Sequence, residues 1–315
     1  MRWLLSALLS GCTAAVLVPP TVDADPDLPA MEVDVDGATR RLHLRVLGEV
    51  DAPVLLVLHG SASDHRAWLG LGEALAADWR VVLFDQGGAG LSTRLDPADI
   101  SFDGVAAEIL AVRDALAPGQ PVAVVAHSFG GMNLGAALAV DPDLTDRVVL
   151  LEPGPLTGEV MDATFRDFFA LNLFDGGLNA QQWSWEVLSG SDHDTLDAKY
   201  LATLQGSLLQ YHCDPEDPPP WPVWRVGAVL ERERQAQLRV GGSFDYDFAS
   251  AYAGVERITV VGSTCSALGA DMQRTRHQPL LPGSEVVLIE DVGHRMIVED
   301  EASVIDLVRQ ALGEP

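Results

Sequence analysis

The chain has 315 residues, 48% of them hydrophobic, which is enough for the core of one large domain and excludes a largely disordered polymer. Its 46 acidic residues against 20 basic ones give a formal net charge of −26, so phosphate backbones repel it and nucleic-acid binding is excluded as a working function. Three cysteines without repeated Cys/His spacing support neither a zinc module nor a disulfide-dense scaffold, and no metal site is expected.

Arg2 precedes an apolar run over residues 3–18, too short to span a bilayer comfortably, and a Pro/Asp-rich stretch follows to residue 29. Residues 1–29 therefore read as an export signal and a linker. Leu9-Ser10-Gly11-Cys12 resembles the lipobox of bacterial lipoproteins, which implies cleavage before Cys12 and membrane attachment through its lipidated thiol. A secretory signal cut near Ala24 is the second reading, and an apolar start on a cytoplasmic chain the third. With Cys12 processed, Cys213 and Cys265 remain, and an oxidising compartment would let them pair.

Residues 32–35 and 42–46 alternate apolar and polar around Asp36-Gly37, the pattern of a half-solvated hairpin. Four short apolar runs follow at 54–58, 81–84, 122–126 and 148–151, separated by helix-like stretches such as 102–116. Buried parallel strands with crossover helices fit this order. Runs at 258–261 and 286–289, with a closing helix over 301–312, bring the expected sheet to about eight strands. The core thus covers residues 30–158 and 255–315 of an α/β fold. Residues 159–254 hold amphipathic helical segments, four of the seven tryptophans and no convincing strand, and are expected to cap the carboxyl ends of the strands. Its 15 acidic and 6 basic residues either solvate the surface or, if the cap roofs a pocket, favour cations or amines over anions.

Ala126-His127-Ser128-Phe129-Gly130-Gly131 stands between an apolar strand and a helix-like segment. That is the setting of a nucleophile elbow, in which small residues two before and two after the serine relieve a strained turn. With this motif the chain is similar to the α/β-hydrolase fold family from residue 30 onward. The resemblance implies a mostly parallel eight-stranded sheet with flanking helices and an inserted helical cap. His59-Gly60-Ser61 is similar to the family's oxyanion loop, which implies backbone donors at Ser61 and Phe129. The stretch 85–92, Asp-Gln-Gly-Gly-Ala-Gly-Leu-Ser, resembles a turn of proline iminopeptidase-like members, with Gly87 in place of the usual arginine. His294, in Asp291-Val292-Gly293-His294, matches the general base.

The acid departs from the family pattern, because Cys265 stands where an aspartate usually follows the seventh strand. Glu152, ending the sixth strand, is the preferred replacement, Asp271 the second candidate, and a Ser-His dyad without acid the third possibility. The resemblance implies a serine hydrolase acting on a small-molecule acyl substrate without a cofactor, most generally a carboxylesterase. A proline iminopeptidase-like aminopeptidase is the alternative, with Glu159, Glu186, Glu216, Glu231 and Glu233 as unranked candidates for binding an amine. A non-catalytic binding protein of the same fold is the rival class.

Overall fold

The computed structural model describes residues 18–171, 193–207, 212–214, 219–240 and 243–315. Cys12, Glu186 and Glu216 lie outside the described residues. β1 (Ala30–Val35) and β2 (Ala38–Leu47) pair antiparallel about Asp36 and Gly37, whose φ angles of 54° and 80° make the left-handed turn that this dipeptide favours. The apolar runs become β3 (Val54–Leu58), β4 (Arg80–Phe84), β5 (Ala123–His127), β6 (Arg147–Leu151), β7 (Arg257–Ser263) and β8 (Glu285–Ile289). They form one eight-stranded sheet in the order β1-β2-β4-β3-β5-β6-β7-β8. Only the β1–β2 and β2–β4 pairs are antiparallel.

The central strands are apolar at every position because both faces are covered. On one face Leu56, Val124 and Leu150 pack with α2 (Phe102–Leu116) and α3 (Phe129–Val140). On the other, Leu55, Val57 and Val125 meet Leu71 and Leu75 of α1 (Leu69–Leu75) and Val304 and Val308 of the last helix. Ser101 caps α2 by accepting the Gly104 N–H at 2.9 Å, and the helix stops before Pro118-Gly119.

Between β6 and β7 lie α4 (Gly158–Leu171), α5 (His193–Ser207) and α6 (Ala228–Gln237). Trp221 Nε1 donates to Ala62 O at 2.6 Å and the Trp224 N–H to Asp64 Oδ2 at 2.6 Å, fastening this insertion to the loop after β3. Ala228, Val229 and Leu230 pack on Ala89 and Leu95 beyond β4. Two details differ from the sequence expectation. A ribbon of Arg239–Val240 with Ser243–Phe244 is present, each strand too short to leave a periodic signal. Tyr252 is buried in the core and donates to Gly131 O at 2.5 Å, so the end of the stretch read as cap packs on α3.

The stretch read as a linker is also docked. Val22 is fully buried, its N–H bonds Leu91 O at 2.8 Å, and the Pro19 and Val22 carbonyls accept from Arg225 and Arg41. Prolines and aspartates concealed this, because one anchoring valine gives no periodicity. The last helix, α7 (Glu301–Leu312), is capped by Asp300, which accepts the Ser303 N–H.

Candidate active site

β5 ends at His127 and α3 begins at Phe129, leaving Ser128 on the turn between them with φ 51° and ψ −121°. A side chain in that region carries strain of about 1–3 kcal/mol. The surroundings hold it: Ser128 N–H donates to Leu151 O at 3.0 Å, and Ser128 O accepts from Gly131 and Gly154 at 3.0 and 2.9 Å. Gly130 is required by space, since a Cβ there would lie 2.4 Å from Leu58 O.

His294 reaches Ser128 from the loop after β8. Its Nε2 lies 3.0 Å from Ser128 Oγ, and its Nδ1 lies 2.7 Å from Glu152 Oε2. Glu152, fully buried, follows β6 with φ 41°, and its other oxygen accepts the Ser263 N–H at 2.7 Å. Burial works to raise its pKa, but the His294 hydrogen bond and charge, with the Ser263 donor, outweigh burial and hold Glu152 below the usual glutamate value. A carboxylate only accepts, so Nδ1 carries the proton and Nε2 presents a lone pair to the serine hydroxyl. Ser128, His294 and Glu152 are thus brought together. Asp271 is not among them: it is exposed on the helical turn Ala270–Met272. Cys265 forms a disulfide with Cys213.

Sequence reasoning missed the support given by His127. Its Nε2 lies 2.9 Å from His294 O, and since a carbonyl accepts, that nitrogen carries the proton. Burial first, then the neighbouring His294, hold the His127 pKa well below its usual value, so the ring stays neutral. The sequence places His127 beside the nucleophile but does not reveal that its ring faces the other end of the site.

No described residue accepts from the backbone N–H of Ser61 or of Phe129. The Ser61 hydroxyl donates to Glu231 Oε2 at 2.5 Å. Glu231 also accepts from Gln235 and lies 3.4 Å from Arg234, so its carboxylate is already partnered. Arg234 is buried, its guanidinium 4.6 Å from the Phe129 ring centre and 2.8 Å from Gln86 Oε1. A buried arginine within the polar run Glu231-Arg232-Glu233-Arg234 has no sequence signature. Glu159 is exposed and Glu233 pairs with Arg232.

The turn after β4 is a scaffold. Asp85 accepts from the His65 and Leu91 N–H groups at 2.7 and 2.8 Å and from His65 Nδ1 at 2.9 Å. Gly87 leaves space for the buried Glu108, which takes the Gly87 N–H and the Arg40 guanidinium. Among the described residues His43, His65 and Asp85 have metal-ligand chemistry within 4.8 Å, but the loop already uses both Asp85 oxygens.

A family model described as the alpha/beta hydrolase fold matches residues 53–301, most of the chain and every residue of this site. The chain belongs to the α/β-hydrolase fold family. Among curated relatives, a probable esterase of Oryza sativa subsp. japonica is 37% identical over 118 residues, which are 36% of this chain and 42% of that protein. The chain therefore spans less than half the length of that relative. Among solved structures, VinJ superposes with a TM-score of 0.66 at 17% identity, covering 93% of this chain and 99% of its own. Carboxylesterase CesB of Bacillus subtilis gives 0.61 at 18% identity, covering 90% of each. At such identities these two superpositions speak for the α/β-hydrolase fold alone.

Proposed function

We propose that the chain is a serine hydrolase of carboxylic esters or related acyl bonds, with Ser128 as nucleophile, His294 as base and Glu152 as acid. The observation that carries this reading is the continuous contact from Glu152 through both nitrogens of His294 to Ser128 Oγ. Ser128 Oγ attacks the acyl carbonyl while Nε2 takes its proton, and Glu152 stabilises the imidazolium and preserves its tautomer. The Ser61 and Phe129 N–H groups stabilise the oxyanion. Nε2 returns the proton to the leaving alcohol, and water then attacks the acyl-enzyme with His294 again as base.

The aminopeptidase alternative is less well supported, since Glu231 is neutralised by Arg234 and Glu159 faces solvent. The helices between β6 and β7 act in this reading as a cap over the site, held by Trp221 and Trp224. Export is part of the same proposal. The Cys213–Cys265 disulfide favours an oxidising compartment, and cleavage before Cys12 would keep the Val22 anchor that a cut near Ala24 removes. Cell fractionation of the Cys12→Ser variant tests the lipid anchor: release from the membrane supports it, and an unchanged distribution removes it.

Incubation of the folded chain with a fluorophosphonate, followed by peptide mapping, tests the chemistry. One adduct on Ser128, lost in His294→Ala, together with turnover of p-nitrophenyl acyl esters, is the expected result. Folded protein that takes no adduct overturns the hydrolase reading.

A further inference from the structure

With Glu152 reaching His294 from the end of β6, the position after β7 that the resembled family gives to the acid is free for another use. Cys265 occupies it and bonds to Cys213, which lies 52 residues earlier in the insertion. Each half of this disulfide leads to the loop carrying the base. On the β7 side, Cys265 N–H donates to Val292 O at 3.1 Å, and Thr264 Oγ1 accepts the Asp291 N–H at 3.0 Å. On the insertion side, His212 adjoins Cys213, and its Nδ1 lies 2.6 Å from Glu299 Oε1. Glu299 Oε2 in turn accepts the Gly293 N–H at 2.7 Å. Gly293 is the residue before His294, and Glu299 closes the helical turn Met296–Glu299 just after it.

The bonds are sheltered from water, with the His212 side chain 2% and the Glu299 side chain 10% exposed. Hydrogen bonds to a charged carboxylate in such surroundings are stronger than neutral ones. Val292 O and Gly293 N–H are thus gripped from opposite sides, one by the strand-side cysteine and one by a carboxylate that the other cysteine's neighbour orients. The loop needs such a grip, because Asp291 has a φ of 57° and the base must stay within hydrogen-bond reach of Ser128.

We propose, on the serine-hydrolase reading of Ser128, that the Cys213–Cys265 disulfide, His212 and Glu299 form one positioning unit for His294. The insertion thereby sets the placement of the general base as well as covering the site. Glu299 is the residue through which the unit acts, and its effect falls on acylation and deacylation alike, since His294 is the base in both. A base displaced by about 1 Å loses up to about a hundredfold in rate without changing how the substrate is held.

The test compares wild type, Glu299→Ala, Glu299→Gln and the Cys213→Ser/Cys265→Ser double variant, each checked for folding by near-ultraviolet circular dichroism. The readouts are kcat and KM for a p-nitrophenyl ester and amide exchange at Gly293. Wild type is also measured after reduction by dithiothreitol, which gives two electrons and two protons to the disulfide, leaving two thiols and the cyclic oxidised reagent. Glu299→Ala should lower kcat about 10- to 100-fold with KM unchanged. Glu299→Gln should restore most of it, since its amide oxygen accepts from Gly293 while its NH₂ donates to the other tautomer of His212. Reduction and the double cysteine variant should each lower kcat by a similar factor. Reducing Glu299→Ala should add little to its defect, because residues that act as one unit are not additive.

Independent, multiplying effects, or a kcat unchanged by both reduction and Glu299→Ala, overturn the proposal. If Glu299→Ala does not fold, reduction of folded wild type and the glutamine variant decide. Absence of a Ser128 adduct in wild type would be failure of the hydrolase reading instead. Gly293 exchange still judges the unit in that case: faster exchange on reduction supports it, and unchanged exchange overturns it.

Discussion

Glu152 combines three demands at one position: full burial, a left-handed backbone and a carboxylate shared between Ser263 N–H and His294 Nδ1. If it fixes the imidazole tautomer, Glu152→Gln should lower kcat roughly a thousand- to ten-thousand-fold with little change in KM, while Asp271→Asn leaves both unchanged. Steady-state kinetics on an acyl ester checks both variants. The carboxylate also bears on stability. Because its folded pKa lies below the ordinary 4.5, its contribution is complete above that value and is lost as pH falls through the lower folded value. The difference in Tm between wild type and Glu152→Gln should therefore be largest near neutrality and shrink below about pH 4. Ser128 and His294 were legible because each sits in a short local pattern of strand, small residues and loop. The sequence already favours Glu152 over Asp271, but the contact of Glu152 with His294 needs the lateral order of the strands. β6 lies between β5 and β7, and only that arrangement brings its end to both the nucleophile and the base.

At the scale of elements, the parallel strands were legible within one or two residues, since burial on both faces demands unbroken apolar runs. Elements held by one or two side chains were not. Residues 19–29 look like a linker but are held by Val22, which leaves no solvent-accessible surface, and whose N–H donates to Leu91 O while its carbonyl accepts from the Arg41 guanidinium. A chain beginning at Asp25 should therefore melt about 3–5 °C lower than one beginning at Val18, from the loss of roughly 1.5–3 kcal/mol of buried valine. Differential scanning calorimetry of the two chains checks this, and equal Tm values would show that the segment contributes nothing. The two-residue ribbon at 239–244 is the converse case, a strand pair too short for any pattern to announce.

For the whole molecule, a net charge of −26 sets a field that no single pair describes. Like charges repel across the folded surface more closely than in the unfolded chain, and salt screens that repulsion over about 8–10 Å. Raising sodium chloride from about 10 to about 150 mM should lift Tm by roughly 2–4 °C, and a flat or falling Tm would mean that local ion pairs dominate instead. The same field predicts faster capture of cationic than anionic esters, with a kcat/KM ratio that shrinks as salt is added. Composition alone gave this property, whereas which acidic groups are neutralised, as Glu231 is by Arg234, required the fold.

The insertion between β6 and β7 also divides the proposed triad along the chain. Ser61, Ser128, Phe129 and Glu152 all precede it, and His294 alone follows. During synthesis the growing polypeptide therefore carries both Ser128 and Glu152 before His294 is added, 142 residues after Glu152. On the serine-hydrolase reading, turnover at Ser128 waits until β8 and the loop after it have been added. A chain cut within the insertion would separate base from nucleophile in the same way, and two such fragments would report their own reassembly by regaining turnover.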